Sequence, residues 1–183
     1  MRVVLDAADV TRGLRRVAGE IVERNRGSQN LVVVGVRRGG VLVAHELVRW
    51  IREIDGHEVP EGSVDITLYR DDAATALPNP RIGPSTMPCS LEGKTVVLVD
   101  DVVYTGRTIR AALDALLDYG RPRRIELAAL VDRGGRELPI QPDYVVREID
   151  VTDSERVDVV ASPNGLSAVV QPESAPSIPP EAL

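Results

Sequence analysis

The chain has no phenylalanine and one tryptophan, so aromatic residues are only 3% of its 183 positions. That scarcity weighs against a surface that reads unpaired bases by stacking them on rings. A single cysteine, Cys89, excludes an internal disulfide and fits a reducing cytoplasm. It lies in a Pro-rich loop with no partner motif and reads as incidental. No apolar run approaches the ~20 residues that span a bilayer, and the N-terminus lacks a charged-then-apolar leader pattern, so no membrane role is expected. Two histidines, His45 and His57, have no ligand spacing and read as bystanders. Of 22 basic residues only Lys94 is a lysine, a skew that reads as coding bias. The net charge of −6 gives no overall steering toward nucleic acid. There is no Gly-x-x-x-x-Gly-Lys-[Ser/Thr] loop, and no Gly-x-Gly-x-x-Gly follows a strand, so neither common nucleotide fingerprint is present.

What is present begins with 43% apolar residues and a length that suits one domain with a full core. Residues 1–171 read as that domain, and 172–183 as a Pro-rich, disordered tail. Residues 9–25 carry Val10, Leu14, Val17, Ile21 and Val22 on one helical face. Leu31 to Val36 reads as a buried strand. Gly39-Gly40 opens a second helix through about Asp55. Val64 to Arg70 alternates apolar and polar, as a half-buried strand does. Residues 71–93 are Pro-rich without periodicity, and a loop of that length in a compact domain is usually functional. Ile109 to Leu117 has helical spacing, closed by Gly120 and Pro122. Ile125–Val131 and Tyr144–Ile149 read as strands, and Val157–Ala161 with Ser167–Gln171 as a hairpin across Pro163-Asn164-Gly165. Strands alternating with helices predict an α/β fold, a central parallel twisted sheet with flanking helices.

One stretch carries chemistry: Val96-Val97-Leu98-Val99-Asp100-Asp101-Val102-Val103-Tyr104-Thr105-Gly106-Arg107-Thr108. An apolar strand ends in two acids that are expected to meet solvent at its carboxyl end, where open parallel sheets hold ligands. Carboxylates accept hydrogen bonds only, which suits the two hydroxyls of a ribose. The turn through Thr105, Gly106 and Thr108 offers hydroxyls and free N–H groups at a helix start, an anion site. A second strand-to-helix turn, Gly35-Val36-Arg37-Arg38-Gly39-Gly40, exposes bare backbone, and Arg37 or Arg38 can neutralise an anion there.

The ordered combination resembles the ribose-phosphate signature of the type I phosphoribosyltransferases, which use phosphoribosyl pyrophosphate (PRPP). Val64-Asp65-Ile66-Thr67-Leu68-Tyr69-Arg70-Asp71-Asp72, Gly120-Arg121-Pro122 and Leu130-Val131-Asp132-Arg133-Gly134-Gly135-Arg136-Glu137-Leu138-Pro139-Ile140 narrow it further. Together they are similar to the pyrimidine operon attenuation regulator family. Those are uracil phosphoribosyltransferases that in many bacteria also bind an RNA leader and regulate transcription termination. The resemblance covers about residues 5 to 149.

The resemblance implies the type I phosphoribosyltransferase fold with a small hood region, and conversion of uracil and PRPP to UMP and pyrophosphate. It implies a ribose site of Asp100 and Asp101, with Arg70 as a cation on the stem of a closing loop. Val102, Tyr104, Thr105, Gly106, Arg107 and Thr108 take the ribose-5-phosphate. Val36, Arg37, Arg38 and Gly39 form the pyrophosphate loop. Val131, Asp132 and Arg133 hold the base, or Arg133 contacts pyrophosphate instead. Mg²⁺ is expected with PRPP, held through the substrate without a dedicated protein cage. Pyrimidine leader mRNA is the expected further partner, on a face that includes Arg12, Arg15, Arg16 and Arg136. A homodimer or homotetramer in the cytoplasm is implied.

Several positions depart from the family pattern. Its Thr-Arg-Gly loop is Arg38-Gly39-Gly40 here. A histidine on its first helix is absent, and Gly135 stands where a second is usual. Its Gly-Lys-Asn-[Ile/Val]-Pro-Thr-Ser segment is Val146-Arg147-Glu148-Ile149-Asp150-Val151-Thr152. Two alternatives follow: an RNA-binding attenuator that senses UMP with little catalysis, and a paralogue acting on another base.

Overall fold

The computed structural model describes residues 1–71 and 83–176. The chain runs β1 (Arg2–Leu5), α1 (Ala7–Asn25), β2 (Leu31–Val36), α2 (Gly39–Asp55), β3 (Glu61–Val64), β4 (Thr95–Val103), α3 (Arg107–Leu117), β5 (Arg124–Asp132), β6 (Tyr144–Glu148), β7 (Glu155–Ser162) and β8 (Gly165–Pro172). Five strands form a parallel sheet in the order β3-β2-β4-β5-β6. A separate antiparallel sheet has the order β1-β8-β7. This is the expected α/β architecture with its small additional sheet.

Local sequence explains most element ends. α1 starts at Ala7 because Asp6 and Asp9 form a reciprocal capping box, which satisfies two N–H groups of the first turn. α2 stops at Gly56, whose φ of 74° closes the last turn. The central strands are apolar on both faces because helices cover both sides of the sheet. On one side Leu14, Val17, Ile21, Leu47 and Ile51 of α1 and α2 pack on Val97, Val99 and Leu130, together with Val157, Leu166 and Ala168 of the small sheet. On the other, Ile109, Ala112 and Leu116 of α3 pack on Val96, Leu98 and Leu127.

Three expectations are corrected. The strand expected over Val64–Arg70 lies instead at Glu61–Val64. It ends there because the Asp65 carboxylate accepts the Thr67 N–H at 2.8 Å, folding the next residues into a turn. The central strand continues to Val103 rather than stopping at Val99, since its ladder to β5 runs on to Val103 opposite Asp132. Asp100 therefore lies within the sheet and is 5% exposed; it does not meet solvent. The loop expectation falls partly on 72–82 and the tail expectation partly on 177–183, both outside the described residues.

The strand order reverses between β2 and β4. The next strand along the chain from β2, β3, goes to one side of it, while β4 and its successors go to the other. At such a switch point the loops leaving the carboxyl ends diverge and leave a crevice between them. The ends of β2 (Val36) and β4 (Asp100 onward) flank that crevice.

Candidate active site

Two strand-to-helix turns meet at the crevice. The β2–α2 turn lies against β4 with almost no clearance. A Cβ added at Gly40 would lie 2.4 Å from the Val99 carbonyl oxygen, and one at Gly39 would lie 1.8 Å from Asp101 Oδ2. Bare backbone is therefore a steric requirement of the approach. The Arg37–Arg38 peptide is cis, and Arg38, the N-cap of α2, makes no side-chain capping bond. Arg37 faces Asp65. Burial pushes the Asp65 carboxyl up, but N–H donors from Thr67 and Gly83 and the Arg37 charge outweigh it, so its pKa lies below the ordinary value.

The two acids sit at the end of β4. The Asp101 N–H donates to Asp100 Oδ1 at 3.0 Å, and the Val102 N–H to Asp101 Oδ1 at 2.9 Å. Among the described residues, neither acid forms an ion pair with a base. Burial, then the neighbouring charge of Asp101, holds the Asp100 pKa well above the carboxylate range. Burial likewise raises Asp101, against the hydrogen bonds that its ionised form accepts. Both effects disfavour the charged form, which a cation or a hydrogen-bonding diol would favour.

Beyond them, Thr105 fixes the next turn. Its hydroxyl accepts the Arg107 N–H at 3.3 Å, and its carbonyl accepts the N–H groups of Glu137 and Leu138 at 3.0 and 3.1 Å. Gly106 caps α3 with a φ of 91° and supplies no side-chain acceptor. The first turn of α3 thus keeps donors for an anion, next to the carboxylate pair. The Arg107 side chain turns away from that turn, binding Glu137 at 2.6 Å and Asp71 at 2.8 Å. Arg110 binds the same Asp71 at 2.5 Å and the Tyr69 carbonyl at 3.1 Å. Arg70, exposed between Tyr69 and Asp71, lies on a stem fastened to α3.

The β5 end completes the constellation. Val131 is buried; Asp132 accepts the Gly134 N–H at 2.9 Å and Arg136 Nη2 at 2.6 Å. Arg133 lies 3.8 Å over the Tyr104 ring, with its Nε buried and unpartnered. Tyr104 occupies the space a side chain at Gly135 would need, since a Cβ there would fall 2.3 Å from the ring.

Of the four arginines of the expected RNA face, Arg12, Arg15 and Arg16 stand at helical spacing on α1, each engaged locally, while Arg136 is drawn inward. Arg12 pairs with Asp9, and Arg15 lies 5.5 Å over Trp50. Arg16 is engaged by Glu20 and the Val145 carbonyl. Arg136 points inward, with its side chain 12% exposed, donating to Tyr104 and Ile140 carbonyls as well as Asp132. Sequence reasoning missed the Gly39–Asp101 approach and the Asp71 clamp. It also missed a cluster of Arg156, Asp158 and Gln171 on the small sheet, where alternation with Val157 and Val159 was the only signal.

A switch-point crevice with an acid pair and an open helix start defines a phosphoribosyltransferase-type site. The phosphoribosyl transferase domain family matches residues 4–163. The hypoxanthine phosphoribosyltransferase of Trypanosoma cruzi superposes with a TM-score of 0.70 at 19% identity, covering 94% of this chain and 98% of that one. A hypoxanthine-guanine phosphoribosyltransferase from Bacillus anthracis gives 0.68 at 17%, covering 92% and 98%. The bifunctional protein PyrR of Geobacter sulfurreducens is 55% identical over 158 residues, 86% of this chain and 89% of its own. PyrR of Thermus thermophilus is 52% identical over 156 residues, 85% and 86%. The chain is a phosphoribosyltransferase, and it belongs to the bifunctional PyrR family. No helix among the described residues is long and apolar enough to cross a membrane.

Proposed function

We propose that the chain transfers the phosphoribosyl group of PRPP to uracil, releasing pyrophosphate and forming UMP. The bond from ribose C1′ to the pyrophosphate oxygen breaks, a bond from C1′ to uracil N1 forms, and the N1 proton leaves to solvent. The observation that carries the reading is the acid pair Asp100–Asp101 beside the open first turn of α3 at the switch point. Asp100 and Asp101 accept hydrogen bonds from the ribose hydroxyls, and the N–H groups and hydroxyls of Thr105 to Thr108 take the 5′-phosphate. The bare backbone at Gly39 and the guanidinium of Arg37 or Arg38 take the pyrophosphate. Charge spreads over ribose C1′ as the bond breaks, so the nearby carboxylates favour the transition state.

Magnesium fits this donor set: hard carboxylate oxygens, few in number, beside a phosphorylated substrate that supplies further oxygens. Asp100 and Asp101 are the residues that would hold it, directly or through its waters. When bound it neutralises charge on the departing pyrophosphate. The test is UMP formation from uracil and PRPP with Mg²⁺; no turnover with uracil or any other base rules the reading out.

Arg12 and Arg15, exposed on α1, favour a second activity, binding of a pyrimidine leader RNA, with Arg15 and Arg49 on the same indole at 5.5 and 4.9 Å. Retention of such an RNA at low salt, changed by UMP, is the expected result, and its absence excludes this activity.

A further inference from the structure

The β2–α2 turn stands between two acids. On one side, Asp101 at the end of β4 takes the space beside Gly39. On the other, Asp65 follows the last residue of β3. There the Arg37 N–H donates to the Val64 carbonyl at 2.9 Å, which carries the pairing of β2 with β3 one bond further. The Arg37 guanidinium lies on this second side. A Cβ added at Gly83 would fall 2.5 Å from Arg37 Nη1 and 2.8 Å from Asp65 Oδ2, so both groups crowd the same bare backbone.

Asp65 is itself held firmly. Its Oδ1 accepts the Thr67 N–H at 2.8 Å, its Oδ2 accepts the Gly83 N–H at 2.9 Å, and its own N–H donates to Ser85 Oγ at 2.9 Å. Residues 83–86 are in turn stitched to β3, where Ser63 and Thr86 exchange two N–H bonds at 2.8 Å. A carboxylate so fixed gives a long guanidinium one preferred direction. Three positions of the turn bear on where a pyrophosphate finds a cation. Position 39 has no room for a side chain in this arrangement. Arg37 is half-buried and faces a charge that already compensates its own. Arg38 is exposed, and its side chain makes no hydrogen bond or ion pair among the described residues. Its donors are all unspent.

We propose that the two neighbouring arginines have different duties, divided by Asp65. Asp65 is a positioning residue: it draws Arg37 aside to brace the outer edge of the turn, and Arg38 is the side chain that meets the pyrophosphate. This deepens the proposed phosphoribosyl transfer and rests on it. One carboxylate thereby ties the turn to both Thr67 and Gly83, on either side of the 71–93 segment. Loss of Asp65 releases Arg37 and lets the turn shift, and the effect on ligand passes through Arg37 alone.

The test compares wild type with Arg38→Met, Arg37→Met, Asp65→Asn and the double variant Arg37→Met/Asp65→Asn. Calorimetry titrates inorganic pyrophosphate with Mg²⁺ into each, and initial rates vary PRPP and uracil separately. Arg38→Met is expected to weaken pyrophosphate binding and raise KM for PRPP by about tenfold or more, with KM for uracil within about twofold and the melting temperature unchanged. Arg37→Met and Asp65→Asn each weaken pyrophosphate binding by about threefold to fivefold and lower the melting temperature. The double variant binds no worse than either single one, the signature of two groups acting as a unit. Losses that multiply in the double variant overturn the role of Asp65. Pyrophosphate binding by Arg38→Met equal to that of wild type, or absent from wild type, overturns the role of Arg38, and UMP formation by wild type then leaves the transfer reading standing. If wild type forms no UMP, the transfer reading falls, and the pyrophosphate titrations decide the assignment independently.

Discussion

Gly39 and Asp101 are steric partners: the Asp101 carboxylate fills the space where a side chain on Gly39 would begin, with Oδ2 1.8 Å from the ideal Cβ position. Gly39→Ala is expected to force Asp101 out of place and spread the β2–α2 turn. Displacement of a substrate-binding group by about 1 Å can cost as much as about 100-fold in rate. The expected outcome is a KM for PRPP raised about tenfold, with KM for uracil nearly unchanged, measured by initial rates.

Asp100 gives a linked stability prediction. Burial and the neighbouring Asp101 raise its folded pKa above the unfolded value. The folded state therefore binds its proton more tightly. The contribution to stability is present below the unfolded value and is lost as pH rises through the folded one. Asp100→Asn removes that loss, so the unliganded variant should be more stable than wild type by about 1 kcal/mol near neutral pH, while transfer activity falls sharply. The gap in melting temperature should shrink as pH is lowered toward the ordinary carboxylate range. PRPP affinity of wild type should weaken over the same descent, because a protonated acid accepts the ribose hydroxyls less strongly than a carboxylate does. Both are read by thermal melts and calorimetry over a pH series.

The central strands, α2, α3 and the hairpin were legible because local periodicity and glycine placement decide them. The motif through Thr108 was legible for the same reason. What was not legible depends on partners distant in sequence. Arg2–Leu5 is a strand because β8 pairs with it, Arg2 opposite Val170. Glu61-Gly62-Ser63 has no strand pattern and becomes one against Val33 to Gly35 of β2. Asp100 reads as a solvated acid from its formula; it is buried because β4 keeps pairing with β5 beyond it. Arg136 reads as a surface cation and is drawn inward by carbonyls of two loops.

Arg136 bonds to Asp132, Tyr104 and Ile140 together, so it ties the β4–α3 turn to the β5 end. Arg136→Ala leaves the buried Asp132 charge and two carbonyls unmet. A loss of about 3 kcal/mol in denaturant titration is expected. Arg136→Lys should rescue little, since one ammonium cannot span three planar acceptors.

Two strands away from β4, Tyr144 donates to the buried Glu126 at 2.7 Å, and Asn25 donates to the same oxygen at 2.9 Å. Burial and then the Glu126 carboxylate raise the Tyr144 pKa. Tyr144→Phe should lower stability by about 1 kcal/mol with both KM values unchanged. Chemical denaturation paired with initial rates checks it.

The most direct measurement is a calorimetric titration of PRPP with Mg²⁺ into the wild-type protein and into Asp101→Asn. Saturable, one-to-one binding that is lost or weakened at least about tenfold in the variant is the result predicted from the acid pair and the α3 turn. Absence of PRPP binding to wild type, or equal binding by both proteins, would contradict it.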